Sequence, residues 1–479
     1  MDVLLVNPRY NGQSEIPPLG LECIAAVLSK HAIDAAIIDL DIYHHQEVHD
    51  YFSHLLKTHM PKIVGVTAMS HSFASAITVC QIAKEFNQDV LTVLGGIHAT
   101  VLYDSILREQ QAVDVIVRGE GELSFLELAQ HFLQGRPFSH TDGISFRNDG
   151  ETVHNNDRRL AKDLDSFPLP SHDLVENEKY KTRSISSSRG CFHNCTFCSI
   201  HSLSGDIIRI RSIDAIIKEI EDLIRCGARR IMFTDENFTF SFKRVKQLCS
   251  EIVRRGLHEK VVFYAEGRID DICKTPIMAH VLSDAGFRGL YIGAESGSQE
   301  ILNYYRKETT PDTVVQGVSY CVEQNLMPVV NFILYGPRDT VETMKETIGL
   351  AKRVYESGAE IVYAEMLIPY PGTPIKDELE RDGKFRESKE IYFFDSYHGM
   401  DIDWILQLCN VSRDITYLIH HEDLYFDMKK TYFELKYVEE LLEKKVPLTF
   451  EDIYNDYRDK GNVPETFKTV NNTIMNLIH

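Results

Sequence analysis

Short apolar runs alternate with segments of helical periodicity over most of this chain, in two separate stretches. The first stretch contains five runs, Val3–Val6, Ala35–Asp41, Ile63–Ala68, Val90–Gly96 and Val115–Gly119. The second contains a run before Cys191 and further runs at Arg230–Thr234, Val261–Ala265, Gly289–Ala294, Val329–Leu334 and Val362–Ile368. Strands that alternate with helix-length segments form parallel sheets covered by the helices. We therefore predict an α/β fold with two parallel sheets, one for each stretch.

The spacing of the runs divides the chain into four parts. Residues 1–135 are expected to form a doubly wound, Rossmann-like parallel sheet, and residues 183–385 a partial, six-unit TIM-like barrel. Residues 136–182 are interpreted as a linker. It begins with a hairpin formed by Gly143–Arg147 and Glu151–His154. Pro168 and Pro170 exclude a helix interior in its second half. Residues 386–479 have helical patterns rich in Tyr, Lys and Glu, and we expect a helical C-terminal domain that caps the substrate site.

Composition excludes several classes of protein. The 479 residues carry a formal charge of −20, the wrong sign for a chain that holds nucleic acid by general electrostatics. The sequence contains no run of about 18 apolar residues, so we expect no membrane-spanning helix. The N-terminus lacks the pattern of a signal peptide. Ten cysteines are too few for a disulfide scaffold. We expect a cytoplasmic protein, in which clustered cysteines hold metal or do chemistry.

Three of the cysteines, Cys191, Cys195 and Cys198, stand in a C-x3-C-x2-C loop after the first barrel strand. Three thiolates at this spacing can ligate three irons of a 4Fe-4S cluster and leave the fourth iron open for another ligand. Two other interpretations are a zinc knuckle, with His193 as fourth ligand, and cysteines that pack in the core. Structural zinc sites usually take their ligands in two separated pairs, which favours the cluster.

In the first sheet, ligands are expected beyond the carboxyl ends of the strands. The segments placed there include Ser70, His71 and Ser72 after the third strand, and Gly95, Gly96 and His98 after the fourth. None of these loops has the G-x-G-x-x-G or G-x-x-x-x-G-K pattern of a phosphate-binding loop. Nucleotide binding by this sheet is therefore weakly supported.

The cysteine loop, with Phe197 just before its last cysteine, resembles that of the radical S-adenosylmethionine superfamily. The segment Thr234–Phe238 looks like the one that holds the methionine amino group of the cofactor in that family. The segments Gly267–Asp270 and Gly293–Ser298 follow strands at whose ends the family contacts the ribose and the carboxylate. The resemblance thus implies S-adenosyl-L-methionine contacts at these positions: Thr234, Asp235, Glu236, Asn237, Arg268, Glu295 and Ser296.

Other segments resemble the subgroup with an N-terminal cobalamin-binding domain. They are Pro17–Leu21, Leu94–Thr100, Arg118–Glu122 and, in the barrel, Pro369–Pro374. The resemblance covers residues 1–385 and implies cobalamin contacts at Ser70, His71, Ser72, Gly95, Gly96 and His98. The D-x-H-x-x-G sequence is absent, so no histidine ligand to cobalt is expected from it. After the fifth barrel strand, Tyr335 and Arg338 replace the glycines usual in the family.

The resemblance implies an enzyme that reductively cleaves S-adenosylmethionine to a 5′-deoxyadenosyl radical. In this subgroup it is most often a methyltransferase acting on an unactivated carbon or on phosphorus of a small molecule, with an electron donor of flavodoxin or ferredoxin type. Other members cyclise or rearrange substrates without methyl transfer, and a corrinoid-binding sensor with an inactive barrel is an alternative of another class. Too few cysteines remain for a second cluster, and the sequence does not identify catalytic residues.

Overall fold

The computed structural model describes residues 1–9, 16–43, 48–148, 150–334, 336–359, 361–388 and 391–394. The N-terminal domain consists of alternating strands and helices followed by a hairpin. Its elements are β1 (Val3–Asn7), α1 (Leu19–Lys30), β2 (Ala35–Asp39), α2 (Val48–His59), β3 (Ile63–Thr67), α3 (Phe73–Phe86), β4 (Leu91–Gly95), α4 (Ile97–Val101), α5 (Tyr103–Glu109), β5 (Val115–Val117), α6 (Gly121–Leu133), β6 (Ile144–Asn148) and β7 (Glu151–His154).

The strands of this domain form one sheet in the order β2-β1-β3-β4-β5-β6-β7. The first five are parallel, and β6 and β7 add to the edge in antiparallel pairing. Apolar side chains are buried on both faces, for example Leu5 on one and Leu4 on the other. Strands buried on both faces read as continuous apolar runs, which is why the sequence shows them so clearly. The doubly wound parallel sheet is confirmed.

The segment after the hairpin crosses to the second domain with little regular structure. It contains short 3₁₀ turns at Leu164–Ser166, His172–Leu174 and Asn177–Lys179. The backbone N–H of Ser171 donates to the carbonyl of Glu22 on α1 at 3.1 Å. The linker is therefore fastened to the domain it leaves.

The second domain repeats a strand followed by one or two helices. Its elements are β8 (Arg183–Ile185), β9 (Ser188–Arg189), α7 (His201–Ser204), β10 (Arg209–Ile210), α8 (Ile213–Arg225), β11 (Arg230–Phe233), α9 (Phe242–Arg254), β12 (Val262–Gly267), α10 (Ile269–Lys274), α11 (Ile277–Asp284), β13 (Phe287–Glu295), α12 (Gln299–Tyr304), α13 (Pro311–Glu323), β14 (Met327–Leu334), α14 (Val341–Glu356), β15 (Ile361–Met366), α15 (Pro374–Arg381), β16 (Phe385–Ser388) and β17 (Ile391–Phe394).

Six of these strands make a parallel sheet in the order β8-β11-β12-β13-β14-β15, the predicted partial barrel. The amphipathic helix α8 shows how the sequence builds it. Ser212 caps its N-terminus by accepting a bond from the N–H of Ala215 at 3.2 Å. Ile216, Ile217, Ile220 and Leu223 lie on one buried face of the helix, against the outer face of the sheet.

The structure does not cover most of the predicted C-terminal domain. Residues 385–388 and 391–394 pair as the antiparallel strands β16 and β17, so these described residues are not part of the expected helices. The remainder of 386–479 and Tyr335 lie outside the described residues. Within the described part of the chain, no helix is both long and apolar enough to cross a bilayer.

Candidate active site between the two sheets

A cavity of about 560 Å³ lies where the carboxyl ends of the two sheets meet. The first sheet contributes Thr67, Gly95, Gly96 and Gly119, all at or after strand ends. The barrel contributes Ser186, Arg189, Thr234 and Glu236, again at strand ends, and linker residues 167–170 close one side. Since ligands of both fold types bind at this end of the strands, one chamber serves both domains.

The cysteine loop is held by the last residue of α12 and the residue that follows it. The backbone N–H of Thr196 donates to the carbonyl of Tyr305 at 3.1 Å, and the Thr196 hydroxyl donates to the carbonyl of Tyr304, also at 3.1 Å. Phe197 packs edge-on against the fully buried ring of Tyr305. This loop is therefore anchored by contacts far away in sequence.

The three thiols have the chemistry that an iron–sulfur cluster requires. All are free, Cys195 is buried, and Cys191 and Cys198 are half-buried. Burial raises the pKa of each thiol, that of Cys198 to about 11, while the cations Lys307 and Arg268 lower the pKa of Cys195. Thiolates in such a place need positive charge, which iron supplies. The donor set and its cationic neighbours thus fit a cluster.

Among the described residues, no three His, Cys, Asp or Glu side chains converge where a single ion could bind. A cubane cluster does not need such convergence, because each thiolate binds a different iron. His193, the fourth ligand in the zinc interpretation, has its Nδ1 3.1 Å from a carboxylate oxygen of Glu308. The arrangement of the loop is therefore compatible with the larger cluster.

Two of the residues expected to contact S-adenosylmethionine form their hydrogen bonds within the protein instead. Asp235 is fully buried, and its carboxylate accepts bonds from the Ser187 N–H at 2.9 Å and from the hydroxyls of Ser187 and Ser188 at 2.7 and 2.5 Å. Asn237 caps the 3₁₀ turn that follows β11 and donates to Asp271 at 3.1 Å. Asp235 thus fixes the strand that leads into the cysteine loop.

Their neighbours Thr234 and Glu236 line the cavity. The Glu236 carboxylate also accepts the backbone N–H of Gly190 at 3.0 Å, just before Cys191. On the next strand, Glu266 was not singled out from the sequence. Partial desolvation of its carboxyl raises its pKa although the residue as a whole is exposed, and the carboxylates of Glu236 and Asp235 raise it further. The barrel mouth is therefore rich in acceptors for a cationic or hydroxyl-bearing ligand.

Glu295 and Arg268 are both buried and paired. Glu295 adopts a left-handed backbone with φ +64°, and its Oε1 lies 2.7 Å from Nζ of Lys307. Arg268 bonds Asp270 through Nε at 2.9 Å and donates to the carbonyl of Lys307. Lys307 was missed from the sequence. The sequence does contain a feature that could have identified Lys307. A buried Glu needs a cation, and Arg306-Lys307 is the first basic pair after Glu295.

Ser296 is fully buried, and its hydroxyl bonds that of Thr347 at 3.0 Å. It also accepts the N–H of Ser298 at 3.1 Å. Its polar atoms therefore support the turn after β13 and do not face the cavity.

On the first sheet, Gly95 and Gly96 line the cavity, whereas the polar residues pack beside it. His98 is 2% exposed, with Nδ1 3.0 Å from the Ser70 hydroxyl and its ring 4.4 Å from that of Phe73. Burial lowers the pKa of His98 to about 4. Ser72 is buried and His71 exposed. The His98–Ser70 contact thus ties the loops after β3 and β4 together.

The Arg118–Glu122 segment, which resembled a cobalamin landmark, also joins the domains. Glu120 lies 2.6 Å from Arg209 and 3.3 Å from Arg189, and Glu122 lies 2.7 Å from Arg189. Both arginines belong to the barrel and flank its cysteine loop. These pairs hold the loop after β5 against the barrel mouth.

Comparison with known proteins agrees with this division. The radical SAM superfamily matches residues 185–351, and the B12 binding domain family matches residues 11–129. An uncharacterized methyltransferase of Pyrococcus horikoshii is 33% identical over 365 residues, covering 74% of this chain and 77% of the relative. The anaerobic magnesium-protoporphyrin IX monomethyl ester cyclase of Rubrivivax gelatinosus is 29% identical, covering 83% of this chain and 72% of the relative.

Among solved structures, the fold is similar to that of the radical S-adenosylmethionine methyltransferase TsrM from Kitasatospora setae, solved with tryptophan substrate and a SAM analogue. The TM-score is 0.70 at 20% identity, over 83% of this chain and 80% of that one. The predictions of a radical SAM enzyme and of domains for the cluster, S-adenosylmethionine and cobalamin are confirmed at the level of the families. The chain belongs to the radical S-adenosylmethionine superfamily, to the group whose members carry an N-terminal B12-binding domain.

Proposed function

We propose that this protein is a cobalamin-dependent radical S-adenosylmethionine methyltransferase that acts on an unactivated carbon, or on phosphorus, of a small molecule. The observation that carries the proposal is a cavity of about 560 Å³ that is lined by strand ends of both domains. When bound, the cluster with S-adenosylmethionine supplies a carbon radical, and cobalamin supplies a methyl group. A chamber common to both cofactors allows one substrate to meet both. The name of the Pyrococcus horikoshii relative, a methyltransferase, supports this.

We assign the cofactors to residues on this geometry. Cys191, Cys195 and Cys198 would hold the cluster, and Thr234 and Glu236, which line the cavity, would hold the amino end of S-adenosylmethionine. The Lys307–Glu295 pair and Arg268 are the charged groups next to Cys195 and would hold its carboxylate and hydroxyls. Gly95 and Gly96 would allow cobalamin to approach the backbone of the first sheet.

An electron donor of flavodoxin or ferredoxin type and a cytoplasmic location are parts of the same proposal. Reductive cleavage of a sulfonium consumes an electron, which the protein must receive from a one-electron carrier. The nine described cysteines are all free thiols, as expected in a reducing compartment. Replacement of a chemical reductant by purified flavodoxin with its reductase, under anaerobic conditions, would test the donor.

The experiment that tests the function is anaerobic reconstitution with iron, sulfide and cobalamin, followed by S-adenosylmethionine labelled in its methyl group, reductant and candidate substrates. We expect 5′-deoxyadenosine, S-adenosylhomocysteine and a labelled product. The Cys195→Ala variant should lose all three together with most of its iron. No 5′-deoxyadenosine from protein with a complete cluster would refute the radical mechanism and favour a corrinoid-binding sensor.

Ring formation without methyl transfer is the second candidate, and the similarity to the Rubrivivax gelatinosus cyclase favours it. The same assay separates the two functions. A cyclase would form 5′-deoxyadenosine and a product that has lost hydrogen, with no label and no S-adenosylhomocysteine. A methyltransferase would place the label in the product.

A further inference from the structure

Buried charges join the two domains at the back of the cavity. Glu22 on α1 and Glu219 on α8 are both 0% exposed, and His172 of the linker, 4% exposed, lies between them. Nδ1 of His172 is 2.7 Å from Glu22 Oε2, and Nε2 is 3.2 Å from Glu219 Oε1. One imidazole ring therefore bridges the cobalamin-binding domain and the barrel.

The geometry favours a protonated ring. An ionised carboxylate only accepts hydrogen bonds, so a ring with a carboxylate oxygen at each nitrogen donates from both. Burial alone would lower the pKa of His172, but the bonds to Glu219 and Glu22 outweigh burial and raise it to about 9. Arg183 binds Glu22 at 3.2 Å and Arg211 binds Glu219 at 2.5 Å. The cation at His172 thus completes a compact set of paired charges.

The two helices that His172 connects both line the cavity. Cys23 and Ile24, adjacent to Glu22 on α1, are among its lining residues, and so are Ala215 and Glu219 of α8. The distance between α1 and α8 therefore contributes to the shape of the chamber.

We propose that His172 is a positioning residue that fixes the cobalamin-binding sheet over the barrel mouth, and so sets the distance between cobalamin and the cluster. This rests on the proposed function for the meaning of that distance. Without the imidazolium, Glu22 and Glu219 keep only their arginines, Arg183 and Arg211, and lose the hydrogen-bond donor that they share across the domain boundary. Each domain has its own apolar core, so the domains can separate at this bridge without either one unfolding.

The test compares the wild type with His172→Gln and Glu219→Gln. Hydrogen–deuterium exchange on the purified chain needs no cofactor, and we expect at least about tenfold faster exchange in α1 and α8 of both variants. Pulsed dipolar EPR between cob(II)alamin and the reduced cluster in the holoenzyme should give a longer and broader distance in both. The double variant should match the singles, because each substitution breaks the same bridge.

Ile252→Val, in the barrel core on α9, is the control for a loss of stability inside one domain. It should leave the exchange of α1 and the cobalt–cluster distance unchanged. Faster exchange with an unchanged cobalt–cluster distance would show that His172 only stabilises the fold, and this result would overturn the proposal. Unchanged exchange in α1 and α8 of the variants would overturn it as well. A wild type that takes up no cobalamin would refute the proposed function, and the exchange experiment alone would then decide whether His172 joins the domains.

Discussion

Replacing Gly190 by alanine should damage the cysteine loop from its first residue. Gly190 directly precedes Cys191, has φ +92°, and donates its N–H to Glu236. A Cβ built on it meets the backbone carbonyl oxygen of Ile207 well inside 3.0 Å, a distance that real Cβ atoms do not reach. Because the backbone fixes the position of a Cβ and the carbonyl belongs to the backbone, no side-chain rotation can relieve the clash.

The magnitude follows from two terms. A left-handed backbone costs a residue with a Cβ about 1–2 kcal/mol. Moving two packed backbone segments apart costs about 1–3 kcal/mol more, as for other overpacked sites. We therefore expect a loss of about 2–5 kcal/mol, concentrated at the cysteine loop and at the turn that contains Ile207. Because the cysteines must keep their spacing to hold a cluster, iron content should fall with stability.

Gly256→Ala is the matched control, since Gly256 has a left-handed backbone, with φ +65° and ψ +26°, but its Cβ would meet only a carboxylate oxygen of Glu259 at 4.0 Å. It should lose about 1–2 kcal/mol and keep its iron. The assay is thermal unfolding of the apoprotein, with iron and sulfide determined after anaerobic reconstitution. Equal unfolding temperatures and equal iron in the two variants would refute the clash argument.

Three further predictions concern other parts of the molecule. Lys307→Met leaves Glu295 buried without its cation, so the free energy of unfolding should fall by about 3–5 kcal/mol and calorimetry should show weaker S-adenosylmethionine binding. The double variant Lys307→Met/Glu295→Gln should recover part of the stability. No recovery would contradict the pairing. Gly96→Ala places a Cβ 2.5 Å from the Ala68 carbonyl oxygen and should reduce cobalamin retention, read from the visible spectrum, while iron stays constant. The pKa of His172 is raised to about 9, so its contribution to stability should be complete below pH 6.5 and vanish as the pH rises through 9; His172→Gln should remove this slope from the unfolding temperature, and a retained slope would assign it to other groups.

The fold could be predicted because burial leaves a local signal. Strands such as Ile63–Thr67 are covered on both faces and therefore carry apolar or small residues at their buried positions. The same argument located the cavity, because parallel strands deliver their loops to one end of a sheet. The three cysteines were identified by spacing within a single loop. Each of these inferences uses residues that are close together in sequence.

The orientation of side chains at the strand ends could not be predicted in the same way. Asp235 and Glu236 are neighbours in a motif that resembles a cofactor segment, yet only Glu236 reaches the cavity. Asp235 turns away because Ser187 and Ser188, at the start of β9 and just before it, offer it three donors. A motif shows which residues lie near the ligand, whereas long-range hydrogen bonds decide which of them face it.

The interface between the two domains contains several ion pairs, and this has a physical reason. An apolar interface between the sheet and the barrel would be stable in many relative positions, because the hydrophobic effect has no direction. Pairs such as Arg189–Glu122 and Arg209–Glu120 form in one relative arrangement of the domains only, and a buried charge that loses its partner is costly. Methyl transfer between separate domains depends on that single arrangement more than on overall stability. The acidic residues of the Arg118–Glu122 segment therefore serve the reaction by aligning two domains as well as by their closeness to the cavity.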